Sequence, residues 1–256
     1  MSAGAEPRDW DASSYDRVSH VQEEWSREVI ARLDLSGDET VLDAGCGSGR
    51  VTRLLLERLP NGRVIGVDAS PSMIEKARDA LPEGTELIVS DLLDLDLDEA
   101  IDAVFSNATF HWILDHRRLF VRLHAALRPG GALEAQCGGI GNLDEFLNSL
   151  ENVNGDERFA PYVRGIASTL NFASPGDTEI RLRSAGFEDA RCWLEERVEK
   201  PREPREFLRT VCLGPHLQQL PEHLHEQYLD AVQEYIPRPL TLDYMRLNIS
   251  ARRPAT

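Results

Sequence analysis

The sequence predicts an α/β protein on a doubly wound, mostly parallel sheet, and three observations carry that expectation. From Thr40 to about Gly139, apolar runs of strand length alternate with segments whose apolar residues recur at helical spacing. The first run closes on the glycine cluster Gly45-Cys46-Gly47-Ser48-Gly49. The later runs end in Asp68, Asp91 and Asn107, which parallel order would gather at one crevice outside the carboxyl ends of the strands.

Each element has a local reason. Val21 to Leu33 read as a lead-in helix with Trp25, Val29 and Leu33 on one face. Thr40 to Ala44 is a buried parallel strand. Gly45, Gly47 and Gly49 let the backbone turn tightly and approach a ligand, since no Cβ intervenes. A helix follows with Val51, Leu54, Leu55 and Leu59 at helical spacing, and its free N–H groups attract negative charge. Arg63 to Asp68 is the second strand; Ser70-Pro71 then reads as an N-cap and first helical residue before Met73, Ile74, Ala77 and Leu81. Glu86 to Asp91 and Ala103 to Asn107 are the third and fourth strands. The next helix starts near Asp115, presents Leu119, Phe120, Leu123 and Leu127, and stops at Arg128-Pro129-Gly130-Gly131. Ala132 to Cys137 is the fifth strand.

Beyond Gly138 the pattern loosens and reads as an insertion over the site. A helix over Thr178 to Ala185 leads into a strand from Ala190 to Val198, Pro201 and Pro204 begin two more helices, and Leu240 to Arg252 forms the last strand. The expectation is one domain over 1–256, with a lead-in helix in 1–35, a cofactor-binding core in 36–139, and acceptor-side insertions at 140–185 and 200–238.

Composition narrows the partners. The chain has 256 residues, 41% hydrophobic, with net charge −16, which disfavours a nucleic-acid substrate because a polyanion would be repelled. No apolar run approaches the roughly 20 residues that cross a bilayer, and the N-terminus has no signal-peptide core, so a cytoplasmic location without membrane contact is expected. Cys46, Cys137, Cys192 and Cys212 are far apart and read as free thiols. His216, His223 and His225 lie near Glu222 and Glu226, but no ligand signature surrounds them, so the segment reads as an amphipathic surface helix without metal. Oligomeric state is not encoded in any motif.

The glycine loop departs from the G-x-G-x-x-G dinucleotide fingerprint, because Arg50 occupies the third glycine's place. An NAD-dependent oxidoreductase is the alternative of a different class. Asp43-x-Gly45-x-Gly47-x-Gly49 instead resembles the D-x-G-x-G-x-G pattern of class I S-adenosylmethionine-dependent methyltransferases. The resemblance implies a Rossmann-like methyltransferase sheet with an antiparallel terminal strand and a small helical cap. It also implies a cofactor site made by Asp43, Gly45, Cys46, Gly47, Asp68, Ala69, Met73, Asp91, Leu92 and Asn107. Asp68 would accept from the ribose hydroxyls and Asp91 from the adenine amino group. Tyr15 and Gln22 are spaced as in relatives that fold an N-terminal segment over the cofactor.

The segment Phe105-Ser-Asn-Ala-Thr-Phe-His-Trp-Ile-Leu-Asp-His116 is similar to that of trans-aconitate methyltransferases, in which N-A-x-x-x-W-x-x-D-H recurs with Gln at the place of His111. Malonyl-carrier-protein and juvenile-hormone-acid methyltransferases share some of these features, and all three groups methylate carboxylates. The resemblance therefore implies O-methylation of a carboxylate on a small molecule, with His111 and Trp112 at the acceptor. C-, N- and hydroxyl-directed methyl transfer stay open as alternatives, since His111 would serve either as an orienting group or as a base.

Overall fold

Val41, Leu42 and Ala44 are almost wholly shielded from solvent, as a strand flanked on both edges and covered on both faces must be. They form the centre of a seven-stranded sheet in the computed structural model, which describes residues 20–163, 166–236 and 238–256, with the side chains of 20–23, 167 and 168 left out. The strands are β1 (Thr40–Ala44), β2 (Arg63–Asp68), β3 (Glu86–Val89), β4 (Ile101–Asn107), β5 (Leu127–Gly138), β6 (Glu188–Glu199) and β7 (Leu242–Arg252), in the order β3-β2-β1-β4-β5-β7-β6. The five strands from β1 to β5 are parallel, and β7 runs antiparallel between β5 and β6. Chain order reverses between β1 and β4, which opens the crevice for ligands there.

Both faces are covered. The Arg50–Glu57 helix and the His20–Arg32 helix bury Leu54, Leu55, Val29 and Ile30, with Leu33 just past the latter, against Val41 and Phe105. On the other face the His116–Ala126 helix packs Leu119, Phe120 and Leu123 against Leu42, Ile65 and Val104. Each such Leu or Phe contributes about 1.5–3 kcal/mol on burial. A third cluster forms a helical cap, in which Phe146 and Leu150 of the Asp144–Asn154 helix meet Tyr228 and Val232 of the His225–Tyr235 helix, with Trp25 and Tyr244 beneath. The sheet is thus a doubly wound Rossmann-like one with an antiparallel strand and a cap.

Helix starts follow the expected chemistry. Ser70 Oγ accepts the Met73 N–H at 3.3 Å with Pro71 next in line, and Asp115 Oδ1 accepts the Arg118 N–H at 3.0 Å. The helix expected at Thr178 begins earlier, at Pro175, because Ser174 caps it through the Asp177 N–H. Asp91 lies past the end of β3, where its carboxylate accepts from the Leu93 N–H and starts a short 3-10 turn.

Three expectations are corrected. Leu127 is buried but does not belong to the helix: that helix ends at Ala126, and Leu127 starts β5 opposite Ile101. Pro129 disfavours helical geometry at Arg128, so the chain is already extended. Pro201 begins no helix, because Pro204 holds Glu203 out of helical geometry (φ −117°, ψ 77°) and itself becomes the first helical residue. The His216 to His225 stretch is not one surface helix: it splits into Gly214–Gln219, a 3-10 turn at Glu222–Leu224 and the helix from His225, with His216 buried and stacked on Tyr228 at 5.6 Å.

The lead-in helix is tied to the sheet by polar contacts. Arg32 donates to Glu134, Asn248 and the Ala135 carbonyl at 2.8, 2.8 and 3.1 Å, and Asn248 Oδ1 also accepts from Gln136 at 2.9 Å. Gln136 Oε1 in turn accepts from Arg246 Nε at 3.2 Å. Register places Gln136 beside Asn248 and Gly138 beside Arg246, so the ladder leads to the carboxyl end of β5.

Candidate active site

The loop after β1 is strapped to β2 before any ligand is considered. The Val67 carbonyl accepts from the Gly45 and Cys46 N–H groups at 2.8 and 3.0 Å. Asp68 completes the fastening: Oδ2 accepts the Gly47 N–H and Oδ1 the Ser70 N–H, both at 2.9 Å. The glycines serve different ends. Gly45 has φ +88°, and a Cβ there would fall 2.1 Å from Thr109 Oγ1, so it exists to let the segment after β4 close over the loop. Gly47 has φ +53°, and a Cβ there would meet no protein atom within 4 Å. It borders a cavity.

That cavity, about 720 Å³, lies at the carboxyl ends of β1 to β4, the size of a site for a cofactor plus a small acceptor. Every described member of the expected cofactor set lines it: Asp43, Gly45, Cys46, Gly47, Asp68, Ala69, Met73, Asp91, Leu92 and Asn107. His111 and Trp112 line it too. Tyr15 lies outside the described residues, as does the side chain of Gln22.

Three carboxylates, Asp43, Asp68 and Asp91, come from adjacent strand ends, which makes this end of the cavity electronegative. Asp43 is 1% exposed and accepts from Thr52 Oγ1 at 2.7 Å. Burial pushes its pKa up to about 7 against the lowering effect of that hydroxyl, with the charge of Asp68 adding to the rise. Asp68 is also raised, first by burial, although the Ser70 and Gly47 N–H groups oppose it. A cation is the natural complement here. Cys46 is buried with its thiol held well above the usual range, first by burial and then by Asp43 and Asp68, so it is a packing group and not a nucleophile.

The segment after β4 forms the opposite wall. Ser106 Oγ donates to the Ala44 carbonyl at 2.7 Å, and Ala108 sits at φ 57° while its N–H bonds Gln136 O at 2.8 Å. An Ala in this left-handed region costs about 1–3 kcal/mol, and such strain gathers at functional sites. The turn aims His111 and Trp112 inward. His111 lies between Trp112 and Phe172, with ring centroids 5.0 and 5.9 Å away. Its Nδ1 accepts the Gly138 N–H at 3.3 Å, which leaves the proton on Nε2. Burial, with help from Arg246 and His116, holds its pKa down to about 3, so the ring is a neutral hydrogen-bond donor at Nε2.

Sequence reasoning missed several lining residues. Thr109, Asn142, Phe146, Tyr244 and Arg246 reach the cavity from the β4 turn, the cap and β7. Only Thr109 carried a local signal, since it sits inside the segment already singled out. Among the described residues no group of His, Cys, Asp and Glu could hold a metal ion, and no helix is long and apolar enough to cross a membrane.

Comparison with known proteins decides the family. Residues 41–131 match a family described as a methyltransferase domain. The trans-aconitate 2-methyltransferase of Azoarcus sp. (strain BH72) is 31% identical over 88% of this chain and 88% of its own length. The chain belongs to the trans-aconitate methyltransferase family. The enzyme of that name from Acidovorax sp. (strain JS42) is 29% identical over 91% of each chain. Among solved structures, phosphoethanolamine N-methyltransferase 2 of Haemonchus contortus in complex with S-adenosyl-L-methionine superposes with a TM-score of 0.62 at 18% identity, covering 95% of this chain and 56% of that one, which speaks for the fold. This chain is an S-adenosylmethionine-dependent methyltransferase, and the acidic end of its cavity, with Gly47 open to it, fits that cationic nucleoside.

Proposed function

We propose that this methyltransferase transfers the methyl group of S-adenosylmethionine to a carboxylate oxygen of a small-molecule acceptor, and that the cavity at the strand ends holds both. The single observation that carries the reading is the division of that cavity, with three strand-end carboxylates on one side and a neutral, donor-bearing His111 on the other. The cofactor, when bound, supplies an electrophilic methyl on a sulfonium. Asp68 receives the ribose hydroxyls, Asp91 and Leu92 flank the adenine, and Asp43 with Asn107 sets a negative field near the cationic end. Gly45, Cys46 and Gly47 form the loop floor, while Ala69 and Met73 close the side. Tyr15 and Gln22 are assigned to the methionine carboxylate.

A carboxylate is ionised at neutral pH, so displacement at the methyl needs position and dryness and no base. His111 Nε2–H and Trp112 orient the acceptor oxygen. The Gln of the relatives offers a donor at the same place, which supports orientation over proton abstraction. Residues 140–185 and 200–238 then act as an acceptor-side cover on the 36–139 core of a single domain. Net charge −16 supports a small molecule over nucleic acid as the acceptor, and a cytoplasmic location is part of the same proposal.

The test is release of S-adenosylhomocysteine in the presence of matched acids, phenols and amines. Turnover with acids supports the proposal. Turnover confined to phenols or amines overturns it.

A further inference from the structure

The turn that carries His111 and Trp112 is gripped by a residue far along the chain. The backbone N–H of Asn171 donates to the His111 carbonyl at 2.8 Å, and its side-chain Nδ2 donates to the carbonyls of Ile113 and Leu114 at 3.2 and 3.1 Å. Two carbonyls facing one side-chain amide call for its NH2 group, and a carboxylate of the same shape would satisfy neither. The near end of the turn is held separately and locally, since His116 Nε2 donates to the Phe110 carbonyl at 2.9 Å.

The neighbours of Asn171 face the cavity. Leu170 and Phe172 both line it. The Phe172 ring lies 5.9 Å from that of His111, and it covers Gly138 so closely that a Cβ there would fall 2.7 Å from it. Ala173 then pairs with Gly139 and accepts the Ile140 N–H at 3.0 Å. Residues 170–173 therefore form a crosspiece from the turn after β4 to the end of β5. Gly138, beneath that crosspiece, donates its N–H to His111 Nδ1 at 3.3 Å, so both ends of the crosspiece bear on one imidazole.

We infer that Asn171 is a positioning residue for methyl transfer: it registers the Leu170 and Phe172 wall against His111 and Trp112 and acts through those two side chains. This rests on the proposal that His111 and Trp112 face the acceptor. In-line displacement depends on alignment, and a shift of about 1 Å at the reacting groups can cost on the order of a hundredfold in rate.

The experiment has an arm that needs no acceptor: amide hydrogen exchange of the S-adenosylhomocysteine-loaded protein, read residue by residue by NMR. Asn171→Ala should speed exchange of the Gly138 N–H at least tenfold, because that bond depends on where His111 stands. Faster exchange confined to 170–174 would make Asn171 a local brace and overturn the inference. With 4-hydroxycinnamate as acceptor, Asn171→Ala should lower kcat at least tenfold, with the acceptor KM and the S-adenosylhomocysteine affinity within threefold of wild type. Asn171→Asp keeps the shape and turns an oxygen toward the carbonyls, so it should lose at least as much; it is also the second variant should Asn171→Ala impair folding. Wild-type kcat in either folded variant would overturn the inference. Trp112→Ala separates this inference from the reading beneath it. Unchanged kcat in Trp112→Ala would remove the acceptor role of the turn and this inference with it, whereas a fall there beside unchanged Asn171 variants would remove only the role of Asn171. In the double variant the losses should fall well short of additive, since one residue acts through the other; full additivity would overturn that coupling.

Discussion

Replacing Asp68 by Asn keeps the shape of the side chain and removes one acceptor and the charge. In the wild type, Oδ2 accepts the Gly47 N–H and Oδ1 the Ser70 N–H, both at 2.9 Å. An Asn has a single oxygen, so whichever way its amide turns, an NH2 group faces a backbone N–H. That leaves one donor of the loop or of the following turn unsatisfied, at about 1–3 kcal/mol. In a protein of this size such a loss lowers Tm by roughly 2–4 °C per kcal/mol. The ribose hydroxyls also lose a charged acceptor, worth about 1.5–3 kcal/mol, or roughly 10- to 150-fold in affinity. Calorimetric titration of Asp68→Asn with S-adenosylhomocysteine, beside a thermal melt, measures both terms. A dissociation constant within twofold of wild type would refute the assignment of Asp68 to the cofactor.

Other substitutions probe separate parts of the site. Gly47→Val places a branched side chain in space that no protein atom occupies but at φ +53°, which strains a β-branched residue, so the variant should melt below wild type and its folded fraction should fail to bind S-adenosylhomocysteine; retained binding would show the loop to be only a turn. Gly45→Ala should instead destabilise the fold, because the new Cβ meets Thr109, and a melt unchanged from wild type would contradict that packing. Asp43 has a folded-state pKa of about 7, above its unfolded value, so its burial favours the protonated form and penalises the charge as pH rises through 7. A sulfonium favours the ionised form, so S-adenosylmethionine affinity should rise about tenfold from pH 6 to pH 8 and that of neutral S-adenosylhomocysteine much less; parallel profiles would exclude Asp43 from the sulfonium's field. His111→Gln should keep activity to within a fewfold, and the wild-type rate at saturating cofactor should be flat between pH 6 and 9, since His111 stays neutral there. A loss beyond a hundredfold, with a limb near neutrality in the wild type, would mark His111 as a base.

The cofactor side was legible because it is written in local terms. Gly45 to Gly49 follows a buried strand directly, Asp68 closes the second and Asp91 follows the third, so parallel register alone brings them to one edge. Ser70 and Asp115 announced their helices by side-chain chemistry that acts within three residues. The acceptor side is assembled over long sequence separations. Arg246 meets Gly138 through strand pairing across 108 positions, and Phe172 reaches His111 because Gly139 bridges Ala173. No period or motif in the chain encodes those meetings. The misread boundaries have a common cause as well. Leu127 is buried whether helical or extended, so its apolarity could not choose between them, and the backbone restriction imposed by Pro129 decided it. His216 looked solvent-facing beside charged neighbours, and packing against Tyr228 from a separate helix overrode that pattern.

The claim that a carboxylate oxygen receives the methyl group is tested most directly by the fate of the label. The protein is incubated with S-adenosylmethionine carrying a labelled methyl and with a monocarboxylic acid that also bears a phenolic hydroxyl, such as 4-hydroxycinnamate, and the product is treated with mild base. A carboxylate acceptor yields a methyl ester, so the label should leave as methanol and the free acid should return. Label that survives base on the phenolic oxygen, as a methyl ether, would contradict the account.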